Sequence, residues 1–271
     1  RSLQFRVIQE KDKYICLKYS FDTKLHNITV YSLIVKNMKC VIAAGGLGTR
    51  LQNFRNNKST KILLEVNGTP MINHQIQQLN NWGFENFVII TNPEFSSLIQ
   101  DVVLKAFSNF DISFSIQNEP KGISHALQQA ENFVKNEKLL FVLGDNFFEN
   151  NPLEGFKLNE FQSGAFIFTK IVENPQEFGV AEMDQDGNVI SIEEKPDIPK
   201  SNEAVVGAYM FDESLFEKIS ILQPSKRGEY EITDLCNLYV NEKNCKNFSI
   251  DGWWIDAGTP ERIIELEQKL G

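Results

Sequence analysis

From Met38 onward the chain alternates short, wholly apolar runs with longer stretches of helical period, and few architectures accommodate that pattern. Lys39 to Ala44 is the first such run, and it closes at once on a glycine-rich turn. The spacing then predicts a helix over Met71 to Trp82, a strand over Phe87 to Thr91 and a helix over Glu94 to Phe107. A strand over Phe114 to Gln117, a helix from Ser124 to Val134 and a strand over Leu139 to Leu143 continue the series. Strands that are apolar throughout must be buried on both faces, which indicates an α/β fold with a parallel sheet covered by helices on both sides. Ligands meet such a sheet at the carboxyl ends of its strands. Residues 1–37 read differently, as short β segments at Phe5 to Ile8, Tyr14 to Tyr19 and Ile28 to Val35. The chain is therefore divided into an N-terminal β-rich segment, 1–37, with no assigned role, and a principal domain, 38–271.

Charge and composition narrow the function classes. Twenty-seven basic against 36 acidic residues give a net charge of −9, which argues against sequence-independent nucleic-acid binding through a basic surface. A few local cations can still build a phosphate site. The longest apolar runs fall far short of the roughly 20 residues of a membrane span, and no signal peptide is visible. No membrane association is expected, and a cytoplasmic location is. Cys16, Cys40, Cys236 and Cys245 form no C-x-x-C pair, and His26, His74 and His125 have no metal-ligand spacing, so the thiols read as reduced and structural.

The turn Ala43-Ala44-Gly45-Gly46-Leu47-Gly48-Thr49-Arg50-Leu51 is the first candidate site. Glycines let backbone N–H groups approach a phosphate, and Arg50 would add a bidentate contact. A dinucleotide fingerprint is a poor match, because Leu51 stands at the third glycine position and the next strand ends in Thr91-Asn92 rather than in an acid. A P-loop is excluded by the lack of a following G-K-[ST]. Taken alone, the cluster is equally a tight strand-to-helix turn.

Other segments resolve that ambiguity. V-I-A-A-G-G-L-G-T-R-L is followed by S-T-K-I-L-L-E-V-N-G-T-P-M-I around Lys61, Q-N-E-P-K-G-I-S-H-A-L at 117–127, L-G-D-N at 143–146 and E-F-G-V-A-E at 177–182. I-E-E-K-P at 192–196, V-V-G-A-Y-M-F-D at 205–212, R-G-E-Y-E-I-T-D at 227–234 and W-W-I-D-A-G-T at 253–259 complete the series. In this order and spacing, the motifs resemble the sugar-nucleotide pyrophosphorylase family, and most closely its short-type glucose-1-phosphate thymidylyltransferases. The resemblance covers Met38 to about residue 267. It implies a Rossmann-like, doubly wound, mostly parallel sheet, and an enzyme that joins a sugar 1-phosphate to a nucleoside triphosphate with release of pyrophosphate. Mg²⁺ is the implied cofactor and a homo-oligomer the expected assembly.

Both reactants are anions and no covalent intermediate is needed, so such an enzyme works by positioning and charge neutralisation. The resemblance assigns Arg50 and Lys61 to the nucleotide phosphates and Lys195 to the sugar phosphate, with Arg227 nearby. Gly45, Gly46, Gly48 and Thr49 would lie against the nucleotide, Gln117 and the Gly122 backbone would read the base, and Asp145 would belong to the nucleotide site as well. Gly179, Glu194 and Val206 would contact the sugar. Asp145, at the end of an apolar strand, and Asp256, before the predicted cap Thr259-Pro260, are the implied metal ligands. His125 reads as a packing or capping residue.

The chain departs from the family in having Thr60 where Pro often precedes the first lysine, and in Gln52-Asn53-Phe54-Arg55, which lacks the usual Pro and Thr. The expected reaction is dTTP with α-D-glucose 1-phosphate giving dTDP-glucose. The alternatives are a UTP- or CTP-dependent hexose-1-phosphate enzyme and an inactive regulatory subunit that binds nucleotide sugars. A dinucleotide-dependent oxidoreductase is more distant. Residues 1–37 are expected to be dispensable for chemistry, and no appended C-terminal region is expected after W-W-I-D-A-G-T.

Overall fold

The computed structural model describes residues 4–10 and 13–19 as backbone, and residues 38–46, 48, 51, 60–154, 161–185 and 187–271 in full. The N-terminal pair β1 (Gln4–Glu10) and β2 (Lys13–Tyr19) is an antiparallel hairpin. It contains two of the β segments expected from the sequence, while the third, Ile28 to Val35, lies outside the described residues.

The expected alternation follows. Strand β3 (Lys39–Ala43) is succeeded by a 3-10 turn at Lys61–Leu63, the short strands β4 (Glu65–Val66) and β5 (Thr69–Pro70), and helix α1 (Met71–Asn81). Then come β6 (Asn86–Thr91), α2 (Ser96–Ala106), β7 (Asp111–Ile116), α3 (Ile123–Gln128), α4 (Glu131–Val134) and β8 (Leu139–Leu143). The single helix predicted from Ser124 to Val134 is thus two, interrupted at Gln129-Ala130. There Gln129 N–H and Ala130 N–H turn back to the carbonyls of Ala126 and Leu127, a tighter 3-10 pattern that breaks the α ladder.

β3, β6, β7 and β8 pair in parallel; β3, β6 and β8 have the two-sided apolar character expected of such a sheet, while β7 lies at its edge, alternating and only partly buried. The register sets Val41 beside Val88 and Phe141, and Ile42 beside Ile89 and Val142. Side chains alternate between the faces of the sheet. Cys40, Ile42, Phe87, Ile89, Leu140 and Val142 accordingly fill one core, and Val41, Val88, Ile90, Leu139 and Phe141 the other. A substitution in any of these strands therefore empties a packed layer.

The second half adds antiparallel strands, which makes the nine-stranded sheet mixed. β9 (Asn146–Phe148) follows β8, then β10 (Ala165–Ile171), β11 (Gly179–Met183), β12 (Val189–Glu194) and β13 (Glu203–Phe211). The chain closes with α5 (Leu215–Ile221), α6 (Ile232–Asn241), β14 (Cys245–Ser249), β15 (Trp254–Asp256) and α7 (Pro260–Leu270). The strand order is β12-β11-β13-β8-β3-β6-β7, and β10 pairs both β13 and β14. β13 runs antiparallel to β8 and carries the second half onto the first. A third small core, with Phe147, Ile255, Ile263 and Leu266, seats α7 against the β9–β15 pair. No helix among the described residues is long and apolar enough to cross a membrane.

Candidate active site

The carboxyl ends of β3, β7 and β8 point the same way, and expected site residues follow each of them. After β3, Ala44 N–H donates to Ile90 O at 2.8 Å, and Gly45 O accepts from the Asn92 amide at 3.2 Å. The glycine turn is thereby laid against the end of β6. Gly46 is exposed and Gly48 half-buried with φ +55°. Leu47, Thr49 and Arg50 lie outside the described residues. Thr60, at the position where the family often has Pro, is fully buried, and its hydroxyl reaches Gly46 O at 3.5 Å.

Asp145 follows β8, and the Lys61 ammonium forms an ion pair with it through Oδ2. Asn146 Nδ2 donates to the other oxygen, Oδ1, at 2.9 Å. Burial works against ionisation here, yet the Lys61 charge and these hydrogen bonds hold the Asp145 carboxyl below the ordinary carboxylate range. Asn146 is itself buried. Its Oδ1 accepts from the Gly207 N–H at 3.1 Å and from the Trp254 indole N–H at 2.7 Å. A Cβ on Gly207 would lie 2.5 Å from Asn146 Cγ, so only glycine admits this amide.

The same strand recruits the second acid. β9 and β15 are antiparallel, with Asp256 opposite Asn146, and Ala257 N–H donates to Asp145 O at 2.8 Å. Thr259 caps α7 by accepting from Arg262 N–H at 3.4 Å, and Pro260 takes the first helical position, as expected. Among the described residues no cluster of three or more His, Cys, Asp or Glu side chains could hold a metal. Two carboxylates on neighbouring strand ends suit a hard divalent cation that draws its remaining ligands from substrate phosphate and water, and do not suit an all-protein cage.

Lys195 follows β12 with φ +46°, a left-handed conformation that is uncommon for a residue with a side chain. Its N–H donates to Phe178 O at 3.0 Å. Lys195 and Asp256 line one cavity of about 290 Å³ together with Glu177, Phe178, Thr259 and Arg262. Arg262 is not among the site residues expected from the sequence. The signal available for it was the Thr259-Pro260 cap, which puts residue 262 in the first turn of the helix that begins beside Asp256.

Beside Lys195, Glu194 accepts from Thr233 Oγ1 at 2.7 Å through Oε2. Its Oε1 lies 3.4 Å from an Arg227 nitrogen and 3.8 Å from Lys195 Nζ. Arg227 also approaches Glu229 and Glu231, each at 3.5 Å. Gly179 lies opposite Glu194 in the β11–β12 pair. Val206 is fully buried on β13, within the core.

Gln117 follows β7, its N–H held by Thr91 O at 2.8 Å. Its side-chain Nε2 reaches Gly122 O and His125 Nδ1, each at 3.1 Å. Gly122 has φ +103°, and a Cβ there would lie 2.6 Å from Tyr230 O, so this turn requires glycine. His125 stacks on Tyr230 with centroids 6.2 Å apart. It therefore packs, as expected, but it also holds the Gln117 amide, which the sequence reading did not anticipate.

Residues 39–271 match the family model described as nucleotidyl transferase. The chain is 38% identical over 235 residues to a glucose-1-phosphate thymidylyltransferase of Neisseria meningitidis, covering 84% of this chain and 81% of that protein. It is 34% identical over 236 residues to Agl11 of Haloferax volcanii, a low-salt glycan biosynthesis nucleotidyltransferase, covering 85% of this chain and 65% of that protein's length. Among solved structures, a Bacillus anthracis protein assigned as a glucose-1-phosphate thymidylyltransferase superposes with a TM-score of 0.79 at 34% identity, over 85% of this chain and 94% of that one. A UDP-glucose pyrophosphorylase complexed with UDP-glucose shares the fold, with a TM-score of 0.76 at 24% identity over 86% and 98% of the two chains.

Proposed function

This chain belongs to the nucleotidyl transferase family, and we propose that it joins dTTP to α-D-glucose 1-phosphate, releasing pyrophosphate and forming dTDP-glucose. The observation that carries this reading is the convergence of Lys61 and Asp145 with Asp256, and of Asp256 with Lys195 around one cavity. Anion-binding and carboxylate groups meet there at strand ends, where a reaction between two phosphates needs them. The thymidylyltransferases of comparable length support the choice of substrates.

In this reading residues 38–271 carry the chemistry. Gln117 and the Gly122 backbone hold the base, and the glycine turn with Arg50 and Lys61 holds the triphosphate. Glu194 and Gly179 meet the sugar and Lys195 and Arg227 take its phosphate, while Val206, fully buried in the core, contributes packing and no direct contact. A phosphate oxygen of the sugar attacks the α-phosphorus and pyrophosphate leaves. Lys61 and Lys195 offset the repulsion between the two anions and fix them in line. Asp145 and Asp256 would hold Mg²⁺, which when bound supplies Lewis acidity and further charge neutralisation at the phosphates.

The test is pyrophosphate release across a panel of nucleoside triphosphates and hexose 1-phosphates with Mg²⁺ present. Turnover should be fastest with dTTP and glucose 1-phosphate, with slower use of UTP, because one methyl in an apolar pocket is worth only about 1–3 kcal/mol. A clear preference for CTP, ATP or GTP overturns the assignment of thymine, and release with no pair overturns the assignment of catalysis.

A further inference from the structure

We infer that His125 is a positioning residue that fixes the polarity of the Gln117 amide, so that the site selects keto nucleobases, which carry an imide N–H, over amino nucleobases. The inference rests on the reading of Gln117 as the residue that meets the base.

Gly122 O, 3.1 Å from the Gln117 amide, can only accept a hydrogen bond, so the group facing it must be the amide nitrogen Nε2. That assignment leaves Nε2 with a second hydrogen, and His125 Nδ1 lies 3.1 Å away. Nδ1 must then be the unprotonated ring nitrogen, with the ring proton on Nε2 of His125. Stacking on Tyr230 holds the ring plane. Tyr230 is in turn locked to the loop, its N–H donating to Lys121 O at 2.8 Å and its carbonyl accepting from Ser124 N–H at 3.0 Å.

Both amide hydrogens of Gln117 are thereby committed to the protein, and Oε1 has no protein donor among the described residues. What the side chain offers a base is an acceptor and nothing else. Thymine and uracil present N3–H to it, and guanine N1–H. In the same orientation cytosine N3 and adenine N1 present a lone pair, and two acceptors face to face repel; donating their exocyclic amino group to Oε1 instead requires the base to shift in the site. Without His125 the second amide hydrogen is released, and the amide can turn to donate to either kind of base. Gly122 alone is a weaker restraint than two acceptors together.

The experiment compares kcat and KM for dTTP, dCTP and glucose 1-phosphate in wild type, His125→Phe, His125→Asn and Gln117→Ala. Phenylalanine keeps the stacked ring and removes the acceptor, whereas asparagine can place its carbonyl oxygen near the Nδ1 position. For His125→Phe the expected result is a roughly tenfold loss of the dTTP to dCTP ratio in kcat/KM, carried by KM for the nucleotide, with KM for glucose 1-phosphate unchanged. His125→Asn should recover most of that ratio. Wild-type discrimination in His125→Phe, alongside lost discrimination in Gln117→Ala, overturns the role of His125 and leaves Gln117 as base reader. Discrimination retained in Gln117→Ala overturns the underlying reading as well. Equal damage by His125→Phe to both substrates assigns the ring a packing role and also overturns the proposal. Should the phenylalanine variant fail to fold, His125→Leu against His125→Asn gives the same comparison.

Discussion

Asp256 stands directly opposite Asn146 in the antiparallel β9–β15 pair, and Asn146 hydrogen-bonds the Asp145 carboxylate at 2.9 Å. One residue therefore bonds the first acid through its buried amide and stands opposite the second in the sheet. Asp145→Asn and Asp256→Asn are expected to fold with an unchanged circular dichroism spectrum and to lose activity at least roughly a hundredfold at saturating substrate. Near-native turnover at limiting Mg²⁺ in either variant removes that residue from the metal site.

Gly207→Ala tests the amide. The added methyl would sit 2.5 Å from Asn146 Cγ, against a buried group that also bonds Trp254 and Asp145. Overpacking of this kind costs about 1–3 kcal/mol. Thermal denaturation should show that loss, and kcat should fall as Asp145 loses its partner. A variant with wild-type stability and turnover would mean that the amide moves aside freely.

Lys61 and Lys195 are separated in the structure, one paired with Asp145 and the other on the cavity beside Glu194. Lys61→Ala is expected to raise KM for the nucleotide, and Lys195→Ala to raise KM for the sugar phosphate, each roughly ten- to hundredfold, as loss of a charged contact implies. Initial-rate measurements with each substrate varied in turn decide it. Equal effects on both constants in both variants contradict the division.

How far the sequence alone reached is clear from these residues. Strands β3, β6 and β8 were legible because two-sided burial leaves uninterrupted apolar runs, and α7 because Thr259-Pro260 marks its start; β7, an alternating and only partly buried edge strand, starts at Asp111, three residues before the predicted Phe114. The motifs identified Asp145 and Asp256 singly, but their proximity depends on β9 and β15, three-residue strands too short to give a periodic signal. Arg262 could have been found from the Thr259-Pro260 cap, but the role of Asn146 and the His125–Gln117 contact were invisible for a related reason. Each depends on the direction of a side chain across a turn, or between elements distant in sequence, and no local pattern encodes it.

Three of the cysteines are buried, and burial pushes the Cys245 thiol up to about 12. An unfolded thiol ionises near about 8.5. Below that pH both states are protonated and the group is neutral in its effect. Above it the unfolded chain gains thiolate that the folded chain resists, so the folded state loses stability relative to the unfolded chain as pH rises toward 12. Cys245 in the folded protein should therefore resist iodoacetamide at pH 8 and react readily in urea, as read by mass spectrometry of tryptic peptides. Labelling of the folded protein at the rate of a free thiol would contradict the packing of β14 against β10.

The direct test of the central claim is to follow the phosphate oxygens. Glucose 1-phosphate labelled with oxygen-18 at its non-bridging phosphate positions is incubated with unlabelled dTTP, Mg²⁺ and the protein, and the products are analysed by phosphorus NMR. Attack by the sugar phosphate on the α-phosphorus predicts one labelled oxygen between the two phosphorus atoms of dTDP-glucose, and none in the pyrophosphate. Label in the pyrophosphate, or thymidine monophosphate in place of the nucleotide sugar, would contradict the account.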